Sequence, residues 1–272
     1  MENCLCDTWD MQNKWYLGTM GFGFEDWEGV LYPAGLPKRN YLRRYGQFFN
    51  TVELDTTFYG TPTDSQVHRW VHSTPEEFIF SLKTPRQITH ELRLVRVSVL
   101  WEQFLVRLKS FGDSLGVVLL QLPPNFTWAE VDALKSFLKD HPIDFRCAVE
   151  FRHKSWYRPE TAEILAKADV CWAATDYLDL PTDIIRTTDF LYLRWIGEHG
   201  RYGRKDHERV DITPRLKMWL SMLEPHLNQV ESIFGYFNND YAGFSPGTCN
   251  RFKRLIGDDA ENFTPPQQGQ LF

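Results

Sequence analysis

Two glutamates and three cations close apolar runs that lie far apart in this chain. Glu53 and Asp55 end the run 51–55, Lys83 ends 78–83, Glu150 and Arg152 end 147–152, and Arg194 ends 190–194. An unpaired buried charge is costly, so runs that finish one after another on charged groups predict a shared polar pocket at one edge of a sheet. Two carboxylates in one cavity are driven to different pKa values by burial and by neighbouring cations. That is the requirement for acid–base catalysis by Glu53 and Glu150, with Lys83 as the third catalytic candidate. Arg152 and Arg194 suit bidentate binding of a carboxylate or phosphate. Three cations against two carboxylates predict a small anionic substrate, and the excess disappears if Asp55 and Asp176 also face inward. In the competing reading these charges only neutralise one another as a structural network.

Around this core, Gln121, Asn238 and Asn239 can orient hydroxyls or an amide, or can satisfy backbone groups at strand ends. Tyr59, Trp156 and Tyr157 could form a stacking wall, although isolated aromatics more often pack in cores. The segment 198–209 combines Gly200 and Gly203 with Arg201, Arg204, Lys205, Arg209, His199 and His207, which predicts a phosphate-contacting lid or, as the alternative, a solvated loop. His90 and His153 follow strands, but no spacing of two histidines with a carboxylate is legible, so no metal ligand set and no cofactor is expected. Glu53 and Glu150 with substrate oxygens would still allow a hard ion such as Mg²⁺ or Mn²⁺. No G-x-S-x-G is present, and no cysteine falls at an expected strand end, so a nucleophilic triad is not supported.

The elements that must position these residues alternate along the whole chain. Apolar periodicity predicts strands over 16–22, 51–58, 78–84, 115–122, 146–152, 170–175, 190–196 and 232–238. Between and after them it predicts helices over 38–49, 64–72, 97–111, 128–139, 159–167, 214–226 and 246–256, with a weak connection after the sixth strand. Eight strand-then-helix units predict a single parallel (β/α)₈ TIM-type barrel; a doubly wound sheet is the alternative, but residues 18–23 lack its glycine spacing. Side-chain parity agrees: Glu53 with Asp55, Glu150 with Arg152 and Tyr192 with Arg194 fall on inward faces near the carboxyl ends, where barrel active sites sit. The expected organisation is a flexible tail over 1–14, a barrel domain over 15–256 and a flexible tail over 257–272.

With 272 residues, 43% of them hydrophobic, the chain is long enough for one large core. A net charge of −6 gives no global field for a polyanion, so a nucleic-acid contact would need a local patch. Cys4, Cys6, Cys147, Cys171 and Cys249 make an odd set that fits a reducing compartment, and no signal peptide or membrane-length apolar stretch is legible, so a cytoplasmic protein is expected. The end of the chain, Gln268-Gly269-Gln270-Leu271-Phe272, looks like the short peptide with which bacterial replication and repair proteins engage a sliding clamp, a weak motif for which chance is the competing account.

Several separate segments resemble the YecE-like family, the domain of unknown function numbered seventy-two. They are Leu17-Gly18-Thr19 through Trp27, Gly29 and Tyr32-Pro33; Val52 to Tyr59; Lys83-Thr84-Pro85 with Thr89-His90; Gln121 to Phe126; Glu150 to Trp156; and Phe237 to Asp240. The resemblance covers about residues 15–256. It implies a TIM-type barrel, supplies no reaction, and points to Glu53, Tyr59, Lys83, His90, Gln121, Glu150, Arg152, Trp156, Arg194, Asn238 and Asn239 as pocket positions. This chain departs from the family pattern in its first loop, where Gly21-Phe22-Gly23-Phe24 stands in place of Gly-Trp-x-Tyr. It departs again after the seventh strand, where Arg194-Trp195-Ile196-Gly197 lacks a histidine. The resulting expectation is an acid–base enzyme acting on a small anionic, phosphorylated or sugar-containing substrate, its class among hydrolases, lyases and isomerases open. The alternatives are a nucleic-acid-associated protein or repair nuclease recruited through the tail, and a non-catalytic ligand-binding barrel.

Overall fold

A computed structural model describes residues 13–140, 144–258, 260, 261 and 263. In chain order the regular elements are β1 (Lys14–Met20), α1 (Tyr41–Tyr45), β2 (Thr51–Leu54), α2 (Asp64–His72), β3 (Ile79–Lys83), α3 (Ser98–Lys109), β4 (Leu115–Gln121), α4 (Val131–Asp140), β5 (Cys147–Glu150), α5 (Pro159–Lys167), β6 (Cys171–Trp172), β7 (Ala174–Asp176), β8 (Phe190–Trp195), α6 (Thr213–Leu223), β9 (Ser232–Phe237), α7 (Asn239–Ala242) and α8 (Ser245–Leu255). All strand pairs are parallel, in the order β6-β5-β4-β3-β2-β1-β9-β8-β7. Helices lie in the crossovers, as parallel strands usually require, except between β7 and β8, where residues 177–189 form none.

The barrel is nearly closed, and among the described residues it has nine strands where the periodicity predicts eight. The sixth expected strand, 170–175, is divided at Ala173: β6 bonds to β5, while β7 turns to bond with β8. A run of alternating apolar residues carries no mark of such a change of partner, because both halves keep the same inward and outward parity. Other boundaries shift by a residue or more. Strand β1 starts at Lys14, inside what reads as a tail, and Asn13 donates to the carbonyls of Leu227 and Val230 at 2.8 and 2.5 Å. At the other end Phe263 packs edge-on against Phe48 and Phe244, which anchors part of the second expected tail through aromatic burial.

Helix α2 begins where the sequence offers the right cap. Thr63 Oγ1 accepts from the Gln66 backbone and the Gln66 side chain accepts from the Thr63 backbone, a reciprocal capping box. Outside the strands a continuous apolar layer binds helices to sheet, including Trp27, Trp101, Trp156, Trp195 and Trp219, all buried. Inside lies a second, smaller apolar layer that includes Tyr192, Phe234 and Tyr236. Tyr236 donates to Ser81 Oγ at 2.7 Å and lies 2.8 Å from Thr51 Oγ1, so the middle of the barrel is filled and this phenol is paired. Gly18 is needed for β1 to meet β2, because a Cβ there would stand 2.1 Å from the Thr51 carbonyl oxygen. Above this plug, at the carboxyl ends of the strands, the charged side chains begin.

Candidate functional site at the carboxyl ends of the strands

Glu53, Glu150 and Arg194 arrive from β2, β5 and β8, and all three are buried. Arg194 bridges the two carboxylates. Its Nε donates to Glu53 Oε2 at 2.9 Å and its Nη2 to Glu53 Oε1 at 2.7 Å, while Nη1 pairs with Glu150 Oε2. Arg152 extends the chain by an ion pair from Nε to Glu150 Oε1, and its guanidinium lies 4.1 Å from the Tyr177 ring centre. Tyr192 donates to Glu53 Oε2 at 2.6 Å. The parity of β2, β5 and β8 is what brings the groups together: each occupies an inward position near the end of its strand.

Burial raises the Glu53 carboxyl above its ordinary range, and the Arg194 charge only partly offsets this. For Glu150 burial pushes the same way, but Arg152, Arg194 and Lys83 together outweigh it and hold the group low. Glu53 and Glu150 are thus driven apart, as expected for two carboxylates in one cavity. Their oxygens, however, are engaged by arginine. Arg194 lies between them, where a shared divalent ion would have to be held. Among the described residues no three His, Cys, Asp or Glu side chains are grouped so that they could ligate a metal.

Lys83 stands apart from this chain of pairs. Its Nζ lies 4.3 Å from the centre of the Phe58 ring, and among the described residues no carboxylate is within ion-pair distance of it. Burial, then the Arg194 charge, lowers its pKa. Phe58 is delivered by a 3₁₀ turn, Asp55–Phe58, which Thr57 pins by donating to the carbonyls of Leu54 and Lys83 at 2.8 and 2.6 Å. His90 packs edge-on against the same ring, 4.9 Å between centres. Its pKa is lowered to about 4, first by burial and then by Lys83, Arg86, Arg152 and Arg93, so it is neutral near pH 7. Gln121 Nε2 lies 3.4 Å from His90 Nε2, and Thr89 Oγ1 lies 2.8 Å from its Nδ1. An amide nitrogen only donates, so this contact assigns the acceptor role to Nε2 and leaves the proton on Nδ1, facing Thr89. The segment carrying His90 is held by Arg93, which donates to both oxygens of Glu130 and to Asn125, and which adopts a left-handed φ of 51°.

Asp55 is the residue the charge argument depended on. It lies 3.9 Å from Arg194 Nη2, and its Oδ1 is buried without a hydrogen-bond partner. It therefore supplies a third carboxylate against Lys83, Arg152 and Arg194, and the expected excess of positive charge is cancelled. Asp176 does not join the cluster. It accepts from Arg215 Nε at 2.9 Å, Trp219 Nε1 at 2.7 Å and Tyr241 OH at 2.7 Å, locking the end of β7 to α6 and α7.

Several expected pocket residues lie elsewhere. Trp156 is buried, donates to the Phe126 carbonyl at 2.8 Å and stacks between Phe126 and Phe151, because an indole with one backbone acceptor is satisfied inside a core. Asn239 is buried under the loop after β9, where its Oδ1 accepts from Trp27, Ser245 N and Ser245 Oγ. Asn238 caps α7 by accepting from Asp240 N at 2.9 Å, but it still borders the cluster, since its Nδ2 lies 3.6 Å from Met20 Sδ, which contacts Arg194 Nη2 at 3.4 Å. Tyr59 is 83% exposed and meets the Phe58 ring edge-on, while Trp156 is buried among Phe126 and Phe151, so the two form no stacking wall. The basic loop is strapped down. Gly200 N donates to Asp240, Lys205 Nζ pairs with Asp240 at 3.3 Å, and Lys205 N donates to Asp26. Arg204 pairs with Asp206, and Arg201 stacks on Tyr202. Asp240 of α7 and Asp206 within the loop thus engage the Lys205 and Arg204 charges read as a phosphate lid, whereas Arg201 lies over Tyr202. Gln268–Phe272 lie outside the described residues. No helix among those described is long and apolar enough to cross a membrane. The larger concavities are elsewhere too: one of about 560 Å³ at the amino ends of β1 and β9, another of about 690 Å³ beside α1 and α2.

Comparison with known proteins supports the fold and leaves the chemistry open. The model of a family described as "Protein of unknown function DUF72" matches residues 16–271. The UPF0759 protein YunF of Bacillus subtilis is 26% identical over 93% of this chain and 98% of its own length. The UPF0759 protein YecE of Escherichia coli is 36% identical, over only 43% of each chain. Among solved structures, a DUF72 family protein of Thermotoga maritima superposes with a TM-score of 0.76 at 30% identity, covering 90% of this chain and 99% of that one. A DUF72 family protein of Enterococcus faecalis, at 19% identity and a TM-score of 0.70, shares the fold.

Proposed function

This chain belongs to the DUF72 family, and on that premise we propose that it is an enzyme acting by acid–base chemistry on a small anionic metabolite at the carboxyl ends of the strands. The observation that carries the reading is the contrast at the mouth of the barrel. Glu53, Glu150 and Arg194 are saturated by one another, whereas Lys83, placed among them, has no ionic partner within reach among the described residues. Asp55 balances the charge count, so the reading rests on the want of a direct partner at Lys83 and not on an excess of positive charge.

The arrangement divides the roles. Arg194 holds Glu53 and Glu150, and these in turn position Arg152 and set the field around Lys83. Arg152 pairs with Glu150 and lies over the Tyr177 ring, and it is partly exposed, which suits it to meet a carboxylate or phosphate. Lys83, its pKa lowered chiefly by burial, and His90, neutral near pH 7, are the titratable groups at the mouth with no ion pair among the described residues, and both are partly accessible. A non-catalytic binding barrel would share the anion contact without the proton chemistry.

A thermal-shift titration with orthophosphate, sugar phosphates and small carboxylates tests the reading. At a hundredfold excess over Kd a ligand of the native state raises Tm by about 5 °C or more. The shift is expected in the wild type and lost in Arg152→Ala. If no anion raises Tm in the wild type, the proposal fails. Turnover that survives in Lys83→Arg and His90→Asn would remove the acid–base assignment while leaving binding in place.

A further inference from the structure

We propose that the cavity of about 560 Å³ at the amino ends of the strands is a second ligand site, built for a free amino acid with a large apolar side chain. It lies at the opposite mouth of the barrel from Glu53 and Arg194, and the Tyr236 plug fills the space between the two. The proposal therefore stands apart from the function just described.

The cavity has an aromatic floor. Tyr16 and Phe234 stack there with 4.7 Å between ring centres and 12° between planes, and Phe190 meets Phe234 edge-on at 5.9 Å. Backbone bonds fix the walls. Asn13 clamps the carbonyls of Leu227 and Val230, Lys14 N donates to the Glu231 carbonyl at 3.1 Å, and Val118 N donates to the Arg146 carbonyl at 2.9 Å. A preformed concavity of this size, with an aromatic surface and a few polar groups, has the make-up of a small-molecule site. Ser232 is an independent sign of a ligand. The residue is 3% exposed, and its Oγ is buried in the cavity lining with no hydrogen-bond partner. A buried hydroxyl left unpaired is destabilising, and a bound polar group would relieve it.

The charges at the rim select the chemistry. Lys14 and Arg146 are matched by Asp113 and Glu231, and none of the four is in an ion pair among the described residues. A phosphate entering here would meet as many carboxylates as cations, so a zwitterion complements the rim better than an anion does. The signs also fall in neighbouring pairs. Asp113 precedes β4 and Arg146 precedes β5, and these strands bond to each other; Lys14 opens β1 and Glu231 precedes β9, which likewise bond. An α-amino acid carries its ammonium and carboxylate on one carbon, so it needs an acid and a base from adjacent positions. Arg146 is the better carboxylate partner of the two cations, because a planar guanidinium can bind both oxygens. That guanidinium lies 6.0 Å from the centre of the Phe234 ring, which sets the charged end of the ligand beside the aromatic floor and leaves its apolar side chain to lie along Tyr16 and Phe234. Asp113 then faces the ammonium, and the Ser232 hydroxyl, two places before Phe234 on β9, adds a further polar contact.

Isothermal titration of the full chain with L-phenylalanine and L-leucine tests the site. Saturable binding with a Kd of about 1 mM or tighter is expected. 3-Phenylpropionate, which lacks the ammonium, and phenethylamine, which lacks the carboxylate, should each bind about tenfold more weakly or worse. Arg146→Gln and Asp113→Asn alter exposed positions and so leave the fold intact. Each should raise the Kd for L-phenylalanine about tenfold or more, since each removes a hydrogen bond to a charged group. Ser232→Ala should weaken binding while leaving the Tm of the free protein unchanged or higher. Arg152→Ala, at the other mouth, should bind L-phenylalanine as the wild type does. The proposal falls if neither amino acid binds by about 10 mM, if either analogue binds as tightly as L-phenylalanine, or if Arg146→Gln keeps the wild-type affinity. Binding lost in Arg152→Ala and kept in Arg146→Gln would put the amino acid at the opposite mouth and overturn it equally.

Discussion

Arg194 grips both oxygens of Glu53, at 2.9 and 2.7 Å, across 141 positions of sequence and inside a fully buried space. Neither residue could be accommodated there alone.

Replacing one partner therefore isolates the other. Arg194→Met is expected to destabilise the protein by about 3–5 kcal/mol, since it leaves Glu53 without a counter-charge in a buried site. The double variant Arg194→Met with Glu53→Gln should recover a large part of that loss, because the stranded charge is gone. Urea unfolding of the two variants and the wild type measures both. Equal losses in the single and double variants would mean that Glu53 is not held as an anion by Arg194.

Acid should weaken the fold in two stages. His90 has a pKa near 4 in the folded protein against an ordinary 6.5, so the unfolded chain takes up its proton first. Its contribution is complete above about pH 6.5 and is lost as the pH falls toward 4. Glu150 and Asp176, both held below their ordinary values of 4.5 and 3.8, add a second loss at lower pH. Glu53 works in the opposite sense: its raised pKa makes the native state bind the proton first, so it favours stability at the acid side of its window. In His90→Asn the slope between pH 6.5 and 4 should flatten while the lower-pH loss remains, which Tm measured against pH will reveal.

Lys83→Met should raise stability, by about 1 kcal/mol, while abolishing any chemistry at the site. The surroundings disfavour the ammonium, chiefly through burial and then through Arg194. A methionine of similar length keeps contact with Phe58 without that cost. Denaturant midpoints provide the check, and a clear loss of stability would show that Lys83 is a structural ion after all.

Gly197 turns the chain after β8 with φ of 73°, and a Cβ there would stand 2.3 Å from the Asp240 carbonyl oxygen. Gly197→Ala should cost more than about 1 kcal/mol and release the 198–209 strap. Faster amide exchange confined to that segment and the start of α7 is the expected signature.

How much of this is legible in the sequence follows from how local each determinant is. Side-chain parity within a strand is local, so the inward placement of Glu53, Glu150, Arg152 and Arg194 can be read directly. The identity of each partner is not local. Nothing near Asp176 in the sequence announces Arg215, Trp219 and Tyr241, which lie on helices reached much later in the chain. Trp156 and Asn239 carry polar groups that read as ligand contacts until the folded loops supply Phe126, Trp27 and Ser245 as their partners. Tyr192 is legible by the same parity, two places before Arg194, whereas Phe58, three after Asp55, goes unread although it follows a strand end. The division at Ala173 leaves no trace, since a strand that changes neighbours keeps its alternation.

That division has a mechanical meaning. Everywhere else around the ring adjacent strands are fastened by rows of backbone bonds, but β6 and β7 follow one another through Ala173 and share no ladder. The circumference is completed there by covalent chain and by packing such as Cys171 against the Phe190 carbonyl. A cylinder with one such seam can widen along it without unfastening any pair of strands, and the flank that would give way is the one joining Glu150's strand to Arg194's.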